Sequence, residues 1–99
     1  MAAYKLSKLA NQDVDGIIEY TALNFGERQA VVYYGQIHLA AKTVANFPSM
    51  GRPYTTRKGR IFQKYSVGEH ALFYQPTEAG ILIVRVLHQM MNFDRHLES

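Results

Sequence analysis

The sequence predicts a two-layer α+β domain: a short opening strand, a helical hairpin, then a three-stranded antiparallel meander. Three observations predict it. Apolar residues recur every three or four positions through residues 6–25 and again through 30–45, and Gly26 divides the two stretches. Three later segments, 61–67, 70–75 and 81–87, are rich in strand formers and are joined by turns too short for a crossover. The apolar stripes of the hairpin need a cover, and the sheet supplies one.

Taken in order, Tyr4-Lys5-Leu6 reads as the opening strand. Ser7 is placed to cap the following helix, because its hydroxyl can accept an orphan amide one turn in. Leu6, Leu9, Ala10, Val14, Ile17, Ile18, Thr21 and Phe25 form the first stripe. Asp13, Asp15 and Glu19 fall off it and read as a solvated face. Gly26 stops the helix. Ala30, Tyr33, Tyr34, Ile37, Ala41, Val44 and Ala45 form the second stripe, which Asn46-Phe47-Pro48 closes. Residues 48–60, with two prolines, two glycines and many polar side chains, read as loop. Ile81 to Leu87 is nearly unbroken and β-branched, which predicts a central strand covered on both faces. The tail, His88 to Ser99, has room for a helical turn.

Length and composition bound the function. Ninety-nine residues make one domain, 1–99, and 47% hydrophobic with 19% charged residues is globular composition. No apolar run is long enough to span a membrane, and the first residues lack the apolar core of a signal peptide, so the cytoplasm is the expected location. The absence of cysteine removes disulfides, thiol catalysis and Cys-type zinc sites. The net charge of +3 says little, but Arg52, Arg57, Lys58, Arg60 and Lys64 crowd the stretch between Met50 and Val67, which holds no acid. A basic face of this kind suits an acidic partner or nucleic acid; a solvated basic loop is the plainer alternative. Seven tyrosines and five phenylalanines are generous for so small a core, so some rings are expected at a surface that a partner covers.

No catalytic signature appears: there is no phosphate-binding loop, dinucleotide fingerprint, HExxH or GxSxG. His70, His88 and His96 are too widely spaced for a metal motif, and no metal or cofactor is expected. Arg85 stands out because it interrupts the most apolar strand. Its guanidinium must pair with a carboxylate or reach a surface, and strand alternation puts it on one face with Leu87. Of Tyr33 and Tyr34, either both belong to the core or one ring packs inward while the other meets a partner.

These residues resemble the ParE toxins of bacterial type II toxin–antitoxin systems, within the RelE/ParE superfamily. The resemblance is carried by Tyr4-Lys5-Leu6-Ser7, Ile17-Ile18-Glu19-Tyr20-Thr21 and Phe25-Gly26-Glu27-Arg28-Gln29-Ala30. It continues through Asn46-Phe47-Pro48-Ser49-Met50-Gly51-Arg52, which is similar to the family's NP-x-x-GR signature with Phe47 inserted, and through Tyr65 to Tyr74 and Val84-Arg85-Val86-Leu87-His88. It implies a hairpin packed on a mostly antiparallel sheet, a non-enzymatic toxin that inhibits DNA gyrase, and a ParD-like antitoxin that wraps and neutralises it in a hetero-oligomer. DNA would be met only through gyrase or the antitoxin. The alternative is a RelE-like endonuclease acting on ribosome-bound mRNA, for which His88, Arg85, Lys64 and Arg60 are the available groups. The sequence departs from the family at three places: the loop 54–60 has no acid, Gln63 replaces an arginine, and Met91-Asn92 replaces Met-Asp. The candidate target-binding residues are Arg85, His88 and Arg95 at the end of the last strand and in the tail, and Arg57, Lys58 and Arg60 in the basic loop. The candidate antitoxin-binding residues are Tyr33, Tyr34 and Ile37.

Overall fold

The computed structural model describes residues 3–98. Strand β1 (Ala3–Leu6) leads into helices α1 (Lys8–Phe25) and α2 (Glu27–Asn46). A 3-10 turn (Pro48–Met50) follows, then strands β2 (Arg52–Thr55), β3 (Ile61–Val67), β4 (His70–Pro76) and β5 (Gly80–His88), and the short helix α3 (Phe93–Leu97). The strands form one sheet in the order β1-β5-β4-β3-β2, parallel between β1 and β5 and antiparallel elsewhere. The hairpin and the three later strands therefore agree with the sequence pattern; β5 is covered on both faces as expected, but β4 is the middle strand and β1 pairs with only the first half of β5. Ser7 accepts the Ala10 amide at 3.0 Å as the cap of α1, and Gly26 adopts φ +95° between the helices.

The reading of residues 48–60 as loop is corrected, because Arg52–Thr55 pairs with β3. Proline argues against strand only where a ladder needs its amide; β2 lies at the edge of the sheet, where Pro53 is tolerated. Tyr74 fixes the entry to this strand. Its ring is fully buried, and its hydroxyl donates to the Pro48 carbonyl at 2.6 Å and accepts the Gly51 amide at 3.1 Å. A Cβ on residue 51 would stand 2.3 Å from that hydroxyl, so only glycine lets the chain pass this close.

One core cluster lies between the hairpin and the sheet: Ala10, Val14, Ile37, Ala41 and Val44 from the helices meet Leu72, Tyr74, Ile81, Ile83 and Val86. A second cluster covers the opposite face, where Phe62, Phe73 and Leu87 meet Leu97 of α3, with Tyr54 and Phe93 packed against them. The tail is thus a third, partial layer. Phe93 packs edge-on against Phe73 at 4.9 Å between ring centres, and Tyr54 against Phe73 at 5.6 Å.

A register shift joins the two faces. Phe73 pairs with Arg85 and Tyr74 with Ile83, which leaves Val84 as an extra residue in β5. Ile83 and Val86 thereby both face the hairpin cluster, and Leu87 faces the other. Beyond Ile83 the strand has no neighbour on the β1 side, because the β1 pairing ends at Leu6. The start of α1 covers this open edge. The Ser7 hydroxyl donates to the Val84 carbonyl at 2.8 Å, and the Asp13 carboxylate accepts the Val86 amide at 2.9 Å. The same carboxylate takes the Arg85 guanidinium through Nε at 2.8 Å and Nη2 at 2.9 Å.

Two stability outcomes follow from this packing. Phe73→Ala should lose about 3–5 kcal/mol in chemical denaturation, the usual result of emptying a buried phenylalanine site; an unchanged unfolding midpoint would contradict its burial. Gly51→Ala should lose about 1–3 kcal/mol as Tyr74 is pushed from its two hydrogen bonds. Most of that loss should disappear in a Tyr74→Phe background if the hydroxyl is the obstacle.

Candidate functional site

Loop 56–60 and the tail form one unit. The Thr56 hydroxyl accepts the Arg60 amide at 3.0 Å and ties the loop across its neck. Asp94 at the start of α3 accepts the Tyr54 hydroxyl and the Arg57 amide, the latter at 2.8 Å, and Glu98 accepts the Lys58 amide at 2.8 Å. The bond from Tyr54 and then that from Arg57 hold the Asp94 carboxyl below its usual range, while the same contact pushes the Tyr54 hydroxyl up to about 12. These acids bind loop amides, which fixes the backbone, and the Arg57 and Lys58 side chains are left exposed, as is Arg95. Arg60 differs: its Nη1 donates to the Leu97 carbonyl at 2.9 Å, and its guanidinium lies 5.1 Å over the Phe62 ring. The structure therefore ties the loop that carries Arg57, Lys58 and Arg60 to the tail that carries Arg95.

Arg85 and His88 do not join them as free cations at the strand end. Arg85 is paired with Asp13, the two side chains being 14% and 15% exposed, and its Nη1 donates to the His96 carbonyl at 3.1 Å. This corrects two expectations together: Asp13 is not part of a solvated face, and Arg85 is held inward by a carboxylate on α1. Asp15 is exposed, as expected. His88 is half-buried; its Nδ1 accepts the Met90 amide at 3.0 Å, which puts the ring proton on Nε2, 3.9 Å from Glu69. Its ring stacks edge-on against His70, 5.2 Å away. Burial, and next the proximity of His88, lowers the pKa of His70 and favours its neutral form.

These histidines stand at one end of an open cleft of about 780 Å³ between the hairpin and the sheet. Ile17, Thr21 and Tyr33 from the helices and Val86 from β5 contribute to its walls, and Tyr20, Phe25 and Met91 also line it. Tyr20 and Phe25 are 62% and 67% exposed, far more than isolated core residues would be. Tyr33 is half-buried: its hydroxyl donates to the Val67 carbonyl at 3.1 Å and lies 2.6 Å from His70 Nδ1. Its ring rests on Gly68, which has φ +55°, and a Cβ there would come within 2.8 Å of it. Tyr34 is 53% exposed. The pair thus divides, one ring inward and one outward. Ile37 is corrected: at 5% exposure it belongs to the core and is closed to any partner. Phe25 fits the helical spacing and reads as part of the stripe, but it is the last residue of α1 and stays exposed, whereas Tyr20 lies off the stripe beside the buried Thr21 and is not singled out by spacing.

Among the described residues, no group of three or more His, Cys, Asp or Glu is placed to hold a metal ion, and no helix is long and apolar enough to cross a membrane. A family profile described as the ParE toxin of the type II toxin–antitoxin system parDE matches residues 4–93. A protein named Toxin ParE1 from Caulobacter vibrioides is 33% identical over 97 residues, which cover 98% of this chain and 99% of that one. Another of that name from Mycobacterium tuberculosis is 38% identical over 96 residues, covering 95% and 96%. Among solved structures, one titled as the chromosomal ParDE toxin–antitoxin system from P. aeruginosa has the same fold, with a TM-score of 0.70 over 89% of this chain and 96% of that chain at 16% identity. The hairpin, the five-stranded sheet and the near full-length matches lead to one conclusion: this chain belongs to the ParE toxins of type II toxin–antitoxin systems.

Proposed function

We propose that the chain inhibits DNA gyrase by binding it, without catalysing a reaction, and that a ParD-like antitoxin neutralises it in a hetero-oligomer. The observation that carries the antitoxin half is the cleft itself, with Tyr20, Phe25 and Met91 exposed around an apolar interior. Apolar rings left in water at the mouth of a groove favour an amphipathic segment whose side chains remove them from solvent. Tyr33 lies within the cleft, and Tyr34 stands outward on the same helix for contact with the remainder of the antitoxin. The target half rests on the basic loop and the tail. Arg57, Lys58 and Arg95 are exposed cations on a backbone braced by Asp94 and Glu98, with Arg60 beside them. Such a surface suits an acidic patch on a protein that works on DNA. His88 remains a target candidate at the strand end, while Arg85 serves by holding the tail through the His96 carbonyl. A gyrase target requires action in the cytoplasm.

Two experiments test this reading. Phe25→Asp should weaken the antitoxin complex at least about tenfold in calorimetry, with little change in melting, since a charge replaces a central apolar contact; an unchanged Kd would remove the cleft as the antitoxin site. The purified chain should inhibit gyrase supercoiling, and the triple variant Arg57→Ala, Lys58→Ala, Arg95→Ala should fold, bind antitoxin and lose that inhibition. Arrest of translation with supercoiling intact would instead indicate the ribosome-dependent endonuclease.

A further inference from the structure

We propose that a second cleft, beside the apolar cluster under α3, binds the phosphate ester of a nucleotide. It measures about 300 Å³, lies between the first turn of α1, the sheet and the tail, and is lined by Lys8, Arg60, Arg85 and His96 together with Phe62 and Val84, among others. None of its lining residues is a carboxylate. Asp13 compensates Arg85 from the α1 side. Among the described residues no carboxylate is ion-paired with Lys8 or Arg60, so these two bring uncompensated positive charges to the same small volume. Like charges converging without an acid repel one another, and an anion between them relieves that repulsion.

The donors are differently prepared. Arg60 is held in place: Nη1 is bound to the Leu97 carbonyl and the guanidinium lies over Phe62. That bond uses one of the five N–H donors of an arginine, which leaves the planar group fixed with further donors for a phosphate oxygen. Lys8 is exposed and lines the cleft from the first turn of α1. The chemistry of the remaining wall selects the ligand class. A carboxylate or a bare inorganic anion would leave most of the volume empty and the exposed Leu9 and half-buried Val84 uncovered. A nucleotide places its phosphate between the two cations and its sugar or base against the apolar wall. Arg57 and Lys58, three and two residues before Arg60 and outside the lining, continue the positive charge along the chain, as a strand of successive phosphates would need. The phosphate can therefore come from a free nucleotide or from a unit of a nucleic-acid strand. This site is separate from the antitoxin cleft and does not depend on gyrase being the target.

The test is fluorescence anisotropy with the full chain at low salt, using a short labelled single strand of DNA or RNA, with AMP and inorganic phosphate as competitors. The strand, AMP or both should bind. Lys8→Gln and Arg60→Gln should each weaken binding about tenfold, the effect of losing one charge-assisted contact. For the strand, the slope of log affinity against log salt should also fall by about 1. Lys42→Gln, an exposed lysine on α2, should bind as the parent does. Displacement by AMP identifies a nucleotide pocket, and binding of the strand alone identifies one site of a polyanion track. Should Arg60→Gln melt early for want of its bond to Leu97, Lys8→Gln decides alone. Absence of binding by both strand and AMP, or parental affinity in a well-folded Lys8→Gln variant, overturns the proposal.

Discussion

The constraint on which the rest of this molecule depends is the open edge of β5. The parallel strand β1 pairs only with Gly80 to Ile83, so the chain around Val84 to Val86 has backbone groups directed at no strand. Buried backbone groups left unsatisfied are costly, and here side chains of the incoming helix satisfy them. Ser7 does so while capping α1, and Asp13 does so while binding Arg85. One carboxylate therefore fixes the position of α1 along the sheet, the inward setting of the arginine and, through the His96 carbonyl, the approach of the tail.

Two surfaces of opposite character result. Where α1 and α2 run past the sheet, their apolar stripes outlast the strands that would cover them, and an apolar cleft remains with Asp13 and Val86 among its lining residues. On the other side, α3 seals the second face with Phe93 and Leu97 and offers Asp94 and Glu98 to the amides of the basic loop. Binding those acids to backbone rather than to guanidinium or ammonium groups has a consequence for charge. The loop is held rigid and its cations are not cancelled. A toxin that must accept both a neutralising partner and a target gains from this separation, because the apolar and the cationic contacts can be made on different sides of the fold.

How much of this was legible in the sequence depended on whether the signal was local. Both helices, the Ser7 cap, the Gly26 break and the three later strands are written in spacing and in turn residues, and the structure has them. Strand β2 was not legible because Pro53 argues against a strand unless it is known to lie at the edge. The Arg85 anomaly was visible, and pairing with a carboxylate was one of its two physical resolutions. That the carboxylate is Asp13 was not visible, since it lies far away in the sequence on a helix face that reads as solvated. Ile37 shows the converse difficulty. Helical spacing puts it on the stripe, but only packing decides whether a stripe residue meets the core or a partner, and here it meets the core. Phe25 obeys the same kind of spacing and stays in solvent.

The measurement that bears most directly on this dependence is a double-mutant cycle in chemical denaturation with Asp13→Ala, Arg85→Ala and the double variant. If the pair organises the edge, each single change is destabilising, and the double variant is more stable than their sum predicts by about 1–3 kcal/mol, as for residues in one charged network. Additivity within about 0.5 kcal/mol would contradict it. Arg85 would then be independent of Asp13 and available to a partner at the end of the strand.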